Sequence, residues 1–327
     1  MTARTHVAIF AAMPCRALGS VLGSALGRTL GAALLCCCAV AAYAGDSGDS
    51  SYPAVWSVGQ AEGVQAPESA YYDEDSGLLF VSQMGAGGAG AKDGDGFISK
   101  MNVAGEILEL KWVTGLSAPK GMRSHGGTLW VSDIDRLLGI RIATGETVHE
   151  VAVPGAKFLN DVACGEDGSV YVSDMLTGHI HRYDDGRLSV FAEGGVVEHP
   201  NGLLVQGNRL IVASWGPGIR EDFSTEMPGR VFALDLNTGE RTDLMGESLG
   251  NLDGLEADGR GGYIVTDWVA GLVYRIAGGK AERLMSFPKG AADIAFFPAT
   301  DRLILPEMLE NKITAFDLGA AFQGAGQ

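Results

Sequence analysis

Six polar residues, Glu68, Lys120, Asn160, Asn201, Asp253 and Asp293, each stand 11 to 13 residues ahead of one recurring aliphatic position. None of the six is apolar. If each recurrence marks one unit of a ring, six residues remote in sequence converge on one axis. Carboxylate and amide oxygens are donors for a hard divalent cation: Ca²⁺ first, with Mg²⁺ or Mn²⁺ as alternatives. Zn²⁺ normally draws on His or Cys. The histidines at 125, 149, 179, 181 and 199 all lie outside this spacing. Two carboxylates and two amides would offset a divalent charge. Lys120 would then salt-bridge surplus acid or meet an anionic substrate. A local reading stands beside this one. Asn-Gly and Asp-Gly are turn formers, which accounts for Asn201-Gly202 and Asp253-Gly254. It does not account for Glu68 or Lys120.

The elements that must position these residues follow from a repeat. A turn, an apolar-aromatic run and a polar end recur as Leu79-Phe80-Val81-Ser82, Leu129-Trp130-Val131-Ser132, Val170-Tyr171-Val172-Ser173, Leu210-Ile211-Val212-Ala213, Tyr263-Ile264-Val265-Thr266 and Leu303-Ile304-Leu305-Pro306. The matched residues are 81, 131, 172, 212, 265 and 305, at intervals of 50, 41, 40, 53 and 40. A blade of four short strands takes about 40 to 50 residues, so the pattern predicts an all-β, six-bladed β-propeller. The sixth unit ends after its third strand, near Asp317. The spare strand at 52–58 is expected to close the last blade and remove an open edge. Two insertions, 83–96 and 215–229, account for the long intervals and follow second strands. Loops of that length are often functional, and the second could act as a lid. The second strands end in an outer ring: Gln83, Asp133, Asp174, Trp215, Asp267 and Glu307.

Composition agrees. Of 327 residues, 46% are hydrophobic, enough for a core, and 48 are Gly, about twice the usual share, as many tight turns require. Residues 1–44 hold Arg4, Arg16 and Arg28 but no acid, then an apolar run ending in Ala42-Tyr43-Ala44. This is the pattern of a secretory signal peptide, cleaved to leave a single domain over 45–327, exported to the periplasm or exterior with no stable membrane insertion. Four of the five Cys fall in that leader, leaving Cys164, read as a buried inert thiol. The net charge of −16 disfavours nucleic acid and anionic membranes as partners. A small-molecule substrate remains. Gly85-Ala86-Gly87-Gly88-Ala89-Gly90 matches a dinucleotide fingerprint but has no helix after it. No H-E-x-x-H, G-x-S-x-G or Walker A run occurs.

The inner-strand phrases, above all Pro200-Asn201-Gly202-Leu203 and Leu252-Asp253-Gly254-Leu255, resemble the SMP-30/gluconolactonase/LRE-like family of six-bladed propellers. The resemblance spans about residues 52 to 318. It implies that Glu68, Asn160, Asn201 and Asp253 hold one divalent cation, commonly calcium or zinc. It further implies hydrolysis of a lactone or related ester. In that reading the metal polarises the carbonyl, Asp253 is the general base and Asn160 positions substrate or water. Lys120, Asp161, Trp215 and Asp293 are the substrate-binding candidates, of which Lys120 and Asp293 lie outside the family's pattern. Sugar-lactone members often carry Arg where this chain has Phe158, so a smaller or more apolar lactone or ester is expected. The alternative is a propeller that keeps the metal structurally and recognises a ligand or protein on its top face. Fold alone does not decide between them.

Overall fold

The computed structural model describes residues 52–323. The signal peptide read at 1–44 lies outside the described residues. The recurring apolar runs become the second strands of six four-stranded antiparallel sheets. After β1 (Ala54–Val58), the first blade holds β2 (Pro67–Asp73), β3 (Leu78–Gln83), β4 (Gly96–Met101) and β5 (Ile107–Leu116). The second holds β6 (Pro119–His125), β7 (Thr128–Asp133), β8 (Arg136–Arg141) and β9 (Thr147–Ala152). The third holds β10 (Leu159–Cys164), β11 (Val170–Asp174), β12 (His179–Asp184) and β13 (Arg187–Glu193). The fourth holds β14 (Pro200–Gln206), β15 (Arg209–Ser214), β16 (Val231–Asp235) and β17 (Arg241–Asp243). The fifth holds β18 (Leu252–Ala257), β19 (Tyr263–Asp267), β20 (Leu272–Ala277) and β21 (Lys280–Ser286). The sixth runs β22 (Ala295–Phe297), β23 (Arg302–Glu307) and β24 (Lys312–Asp317), with β1 as its outer strand. Pairing such as Val58 with Ile313 and Ser57 with Thr314 closes the ring as the spare strand predicts.

Burial follows strand position. Second strands are buried on both faces, because each blade packs on two neighbours. Phe80, Ile98 and Val113 of the first blade share one core cluster with Met122, Leu129 and Val131 of the second. Outer strands alternate between exposed and half-buried, as in β13. One short helix, α1 (Gly319–Phe322), follows the last blade. No helix among the described residues is long and apolar enough to cross a membrane.

The hub explains the glycines after the polar residues. Gly202 and Gly254 lie inside β14 and β18 with no positive φ, so they are not turn residues. A Cβ on Gly202 would sit 2.1 Å from Asp253 O, and one on Gly254 would sit 2.7 Å from Ile294 N. Gly121 meets Asp161 in the same way. The turn reading of Asn201-Gly202 and Asp253-Gly254 is therefore replaced by close approach of neighbouring inner strands.

Candidate functional site

In five of the six blades the second residue of the inner strand lines the top of the channel. Glu68, Lys120, Asn160, Asn201 and Asp253 come from β2, β6, β10, β14 and β18 and line one cavity of about 210 Å³. All five are buried. They form a connected floor. Asn160 Nδ2 donates to Asn201 Oδ1. Asn201 Nδ2 donates to Asp253 Oδ1 at 2.9 Å and to Leu252 O at 3.0 Å. Glu68 Oε2 is buried without a hydrogen-bond partner. Lys120 Nζ donates to Ala118 O at 3.0 Å and lies 4.4 Å above the Phe158 ring.

Asp293 stands elsewhere. Ala291 bridges Glu307 and Ala295 pairs with Ile304, so Ala292, not Asp293, takes the place of Asn160 and Asp253. The hydroxyl bridges agree. Ser173 Oγ donates to Asn201 O at 2.8 Å, and Thr266 Oγ1 donates to Ala292 O at 3.0 Å. Asp293 instead shares its level with Ser69, Asp161 and Gly254, one residue deeper. Its carboxylate accepts from Ser69 Oγ at 2.6 Å and from Ile294 N at 2.9 Å. Asp161 mirrors it, accepting from Val162 N at 2.7 Å and Leu203 N at 2.6 Å. Neither lines the top cavity. Further down, Arg123 Nη1 meets Glu256 Oε1 at 2.8 Å at the opposite mouth.

The outer ring supports the loops above the floor. Asp133 accepts from Ser117 N and Ala118 N, which sets the carbonyl that Lys120 uses. Asp174 accepts from Phe158 N at 3.0 Å, which sets the ring under Lys120. Asp267 accepts from Val269 N and Ala270 N. Ser214, rather than Trp215, pairs with Pro200 and completes this ring. Trp215 does reach the cavity wall, with its Nε1 donating to Phe223 O at 2.8 Å. Both insertions contribute wall residues: Met84 and Ala89 from the first, Asp222 and Phe223 from the second. Met175, Trp268 and Met308 line it too; with Met84 and Trp215 they each stand three residues after the recurring aliphatic position, a signal the repeat carries beyond its polar end.

The channel is crowded with acid. Burial first, then Asp253, pushes Glu68 well above its ordinary value, while Lys120 pulls it back. Burial first, then Asp293, raises Asp253, and the Asn201 amide opposes this. Asp161 rises through burial and Asp293, against Arg123. Burial brings Lys120 down to about 8 despite Glu68 and Asp133. Among the described residues, Glu68, Asp161, Asp253, Asp293 and Glu256 thus face Lys120 and Arg123 inside the ring. Uncompensated buried charge is costly, so the channel calls for bound cations or protons. The oxygen donors at the floor and the orphaned Glu68 Oε2 fit a hard divalent cation. Among the described residues no group of three or more His, Cys, Asp or Glu side chains is arranged to hold a metal, so a cation here would lean on the amides. Cys164 is part-buried rather than fully buried, and burial pushes its thiol up to about 12, which leaves little thiolate at neutral pH.

One pH effect follows. Burial lifts the Asp293 carboxyl to about 6. A carboxyl raised in the folded chain favours folding below its unfolded value, and that contribution is lost as pH rises through about 6. Asp293→Asn keeps partners for Ser69 and Ile294. It should therefore reduce the stability decline between pH 4 and pH 7 by up to about 3 kcal/mol, leaving the part that Glu68, Asp161 and Asp253 contribute. Urea melts at both pH values check this. An equally steep decline in the variant would contradict it.

Fold and floor together define a six-bladed propeller with an acidic, amide-bearing funnel. No protein-family model matches the chain. No curated protein matches it. Several solved structures share its architecture. A gluconolactonase, XC5397 from Xanthomonas campestris, is 16% identical with a TM-score of 0.58, covering 83% of this chain and 96% of that one. A catalytically inactive virginiamycin B lyase from Staphylococcus aureus with quinupristin is 15% identical with a TM-score of 0.54, covering 80% and 98%. A chain of a nidogen/laminin complex is 16% identical with a TM-score of 0.58, covering 75% and 90%. At such identities the likeness establishes the fold.

Proposed function

We propose that the chain is a metal-dependent hydrolase of a lactone or related ester, with Glu68, Asn160, Asn201 and Asp253 as the cation's donors. The observation that carries the reading is the buried floor itself. Four oxygen-bearing side chains from separate blades meet beneath one cavity, with Glu68 Oε2 left unpartnered. The gluconolactonase and the lyase with this fold make small-molecule chemistry in such a funnel reasonable. A bound divalent cation would supply Lewis acidity toward an ester carbonyl.

The chain's own residues do the rest. Asp253, buried at the floor beneath the cavity, would take a proton from an attacking water as its carboxylate. Water's oxygen bonds to the acyl carbon, the ring C–O bond breaks, and the departing alkoxide recovers the proton. Asn201 holds Asp253 through its 2.9 Å hydrogen bond. Asn160, tied to Asn201, orients the substrate or water. The aromatic and thioether walls exclude bulk water from this floor and favour an apolar body over a polyol.

The test is a panel of γ- and δ-lactones and aryl esters, assayed after chelation and after adding back Ca²⁺, Mg²⁺, Mn²⁺ or Zn²⁺. Hydrolysis that returns with one ion supports the proposal. A chain that binds calcium but turns over no member would instead be a recognition propeller with a structural ion.

A further inference from the structure

Among the described residues Lys120 is the cation at the cavity floor, and its surroundings are unusual for an ammonium. It is 1% exposed yet lines the cavity. Among the described residues its Nζ donates one hydrogen bond, to Ala118 O at 3.0 Å, and forms no ion pair. Its nearest face is the Phe158 ring, 4.4 Å away, a neutral partner. Two N–H groups therefore remain for something that enters the cavity. The walls around it are apolar, with Met84, Met175, Trp215, Phe223 and Trp268 among them. Farther out, Asp222 and Lys289 also line the cavity and offset one another in charge.

We infer that Lys120 is a carboxylate-binding subsite, and that the cavity takes a monoanion whose acid group meets Lys120 while an aromatic or aliphatic body lies against the Trp and Met walls. This rests on the hydrolase reading above. Glu68 and Asp253 bring two negative charges, Lys120 one positive, and a divalent cation leaves the floor with a single positive charge. A monoanion neutralises it; a neutral sugar lactone does not. The backbone anchors make Lys120 a fixed feature. Ala118 is held by Asp133, and Phe158 by Asp174, so the ammonium is braced from both sides. In low dielectric, such a preset charge is worth more than a mobile surface lysine.

The experiment is calorimetric binding of 4-phenylbutanoate and its neutral isostere 4-phenylbutanamide to the full, calcium-loaded chain at pH 7. The carboxylate should bind more than about tenfold tighter, the range of a charge-assisted hydrogen bond. Lys120→Met should erase that difference, and Lys120→Arg should retain most of it. Equal binding of acid and amide by the unaltered chain overturns the inference. So does a preference that survives in a folded Lys120→Met protein, since another group would then hold the acid. Calcium binding is titrated separately in each variant. Failure to bind calcium removes the metal reading alone, while the acid-to-amide ratio still decides the role of Lys120.

Discussion

Asp253→Asn should lower kcat/KM for any ester the chain hydrolyses by about 10²- to 10⁴-fold, the usual contribution of a positioned base. The substitution is close to isosteric. Asparagine still offers an oxygen to Asn201 Nδ2, so the floor's hydrogen-bond chain can persist. What disappears is one negative charge and one proton acceptor. Calcium affinity should drop more than about tenfold, since even outer-shell partners of a metal site cost that much when removed. Stability of the cation-free chain should not fall with it. Asp253 is buried beside Glu68 and Asp293, and like charges raise its energy. Removing one of them relieves repulsion. Loss of turnover with an unchanged or higher melting temperature therefore separates a chemical role from a structural one. Full activity in Asp253→Asn would remove Asp253 as the base.

The ring was legible in the sequence because a blade is a periodic object. Second strands are buried on both faces, so their apolar phrase survives in every blade and can be counted. The spare strand at the start was equally plain, since the sixth unit lacked one. The floor was legible in five of six blades, for the same reason. It slipped in the sixth because a spacing of 11 to 13 residues admits two candidates there, Ala292 at 13 and Asp293 at 12 before Leu305, and the polar one matches the other blades. A two-residue side-chain period makes such a slip change the level at which a residue meets the axis. The Lys120 brace was hidden for another reason. Phe158 belongs to the next blade, and no local pattern announces a contact between blades. The walls from Met84, Met175, Trp215, Trp268 and Met308 do carry the period, each three residues after the matched aliphatic position, but the polar residue before each reads as the end of the pattern.

The glycines at the hub give the second large effect, and they tie the fold to the floor. Gly202→Ala should destabilise the chain by about 3 kcal/mol or more, at the upper end of overpacking costs. The reason is geometric. The new methyl group would stand 2.1 Å from Asp253 O and 3.1 Å from Leu255 Cβ. The first of these is backbone in the neighbouring inner strand, which cannot rotate away as a side chain can. Melting should fall by roughly 5 °C or more for a chain of this size. Gly195→Ala is the control, because nothing lies within 4 Å of a Cβ there and its φ is not positive. It should stay within about 0.5 kcal/mol. Because the clash falls on Asp253's own carbonyl, Gly202→Ala should also weaken calcium binding in whatever fraction still folds. A variant as stable as the unaltered chain would mean that β14 and β18 do not approach this closely. The convergence of Asn201 and Asp253 depends on that approach, since a wider hub would hold their side chains too far apart to share one ion.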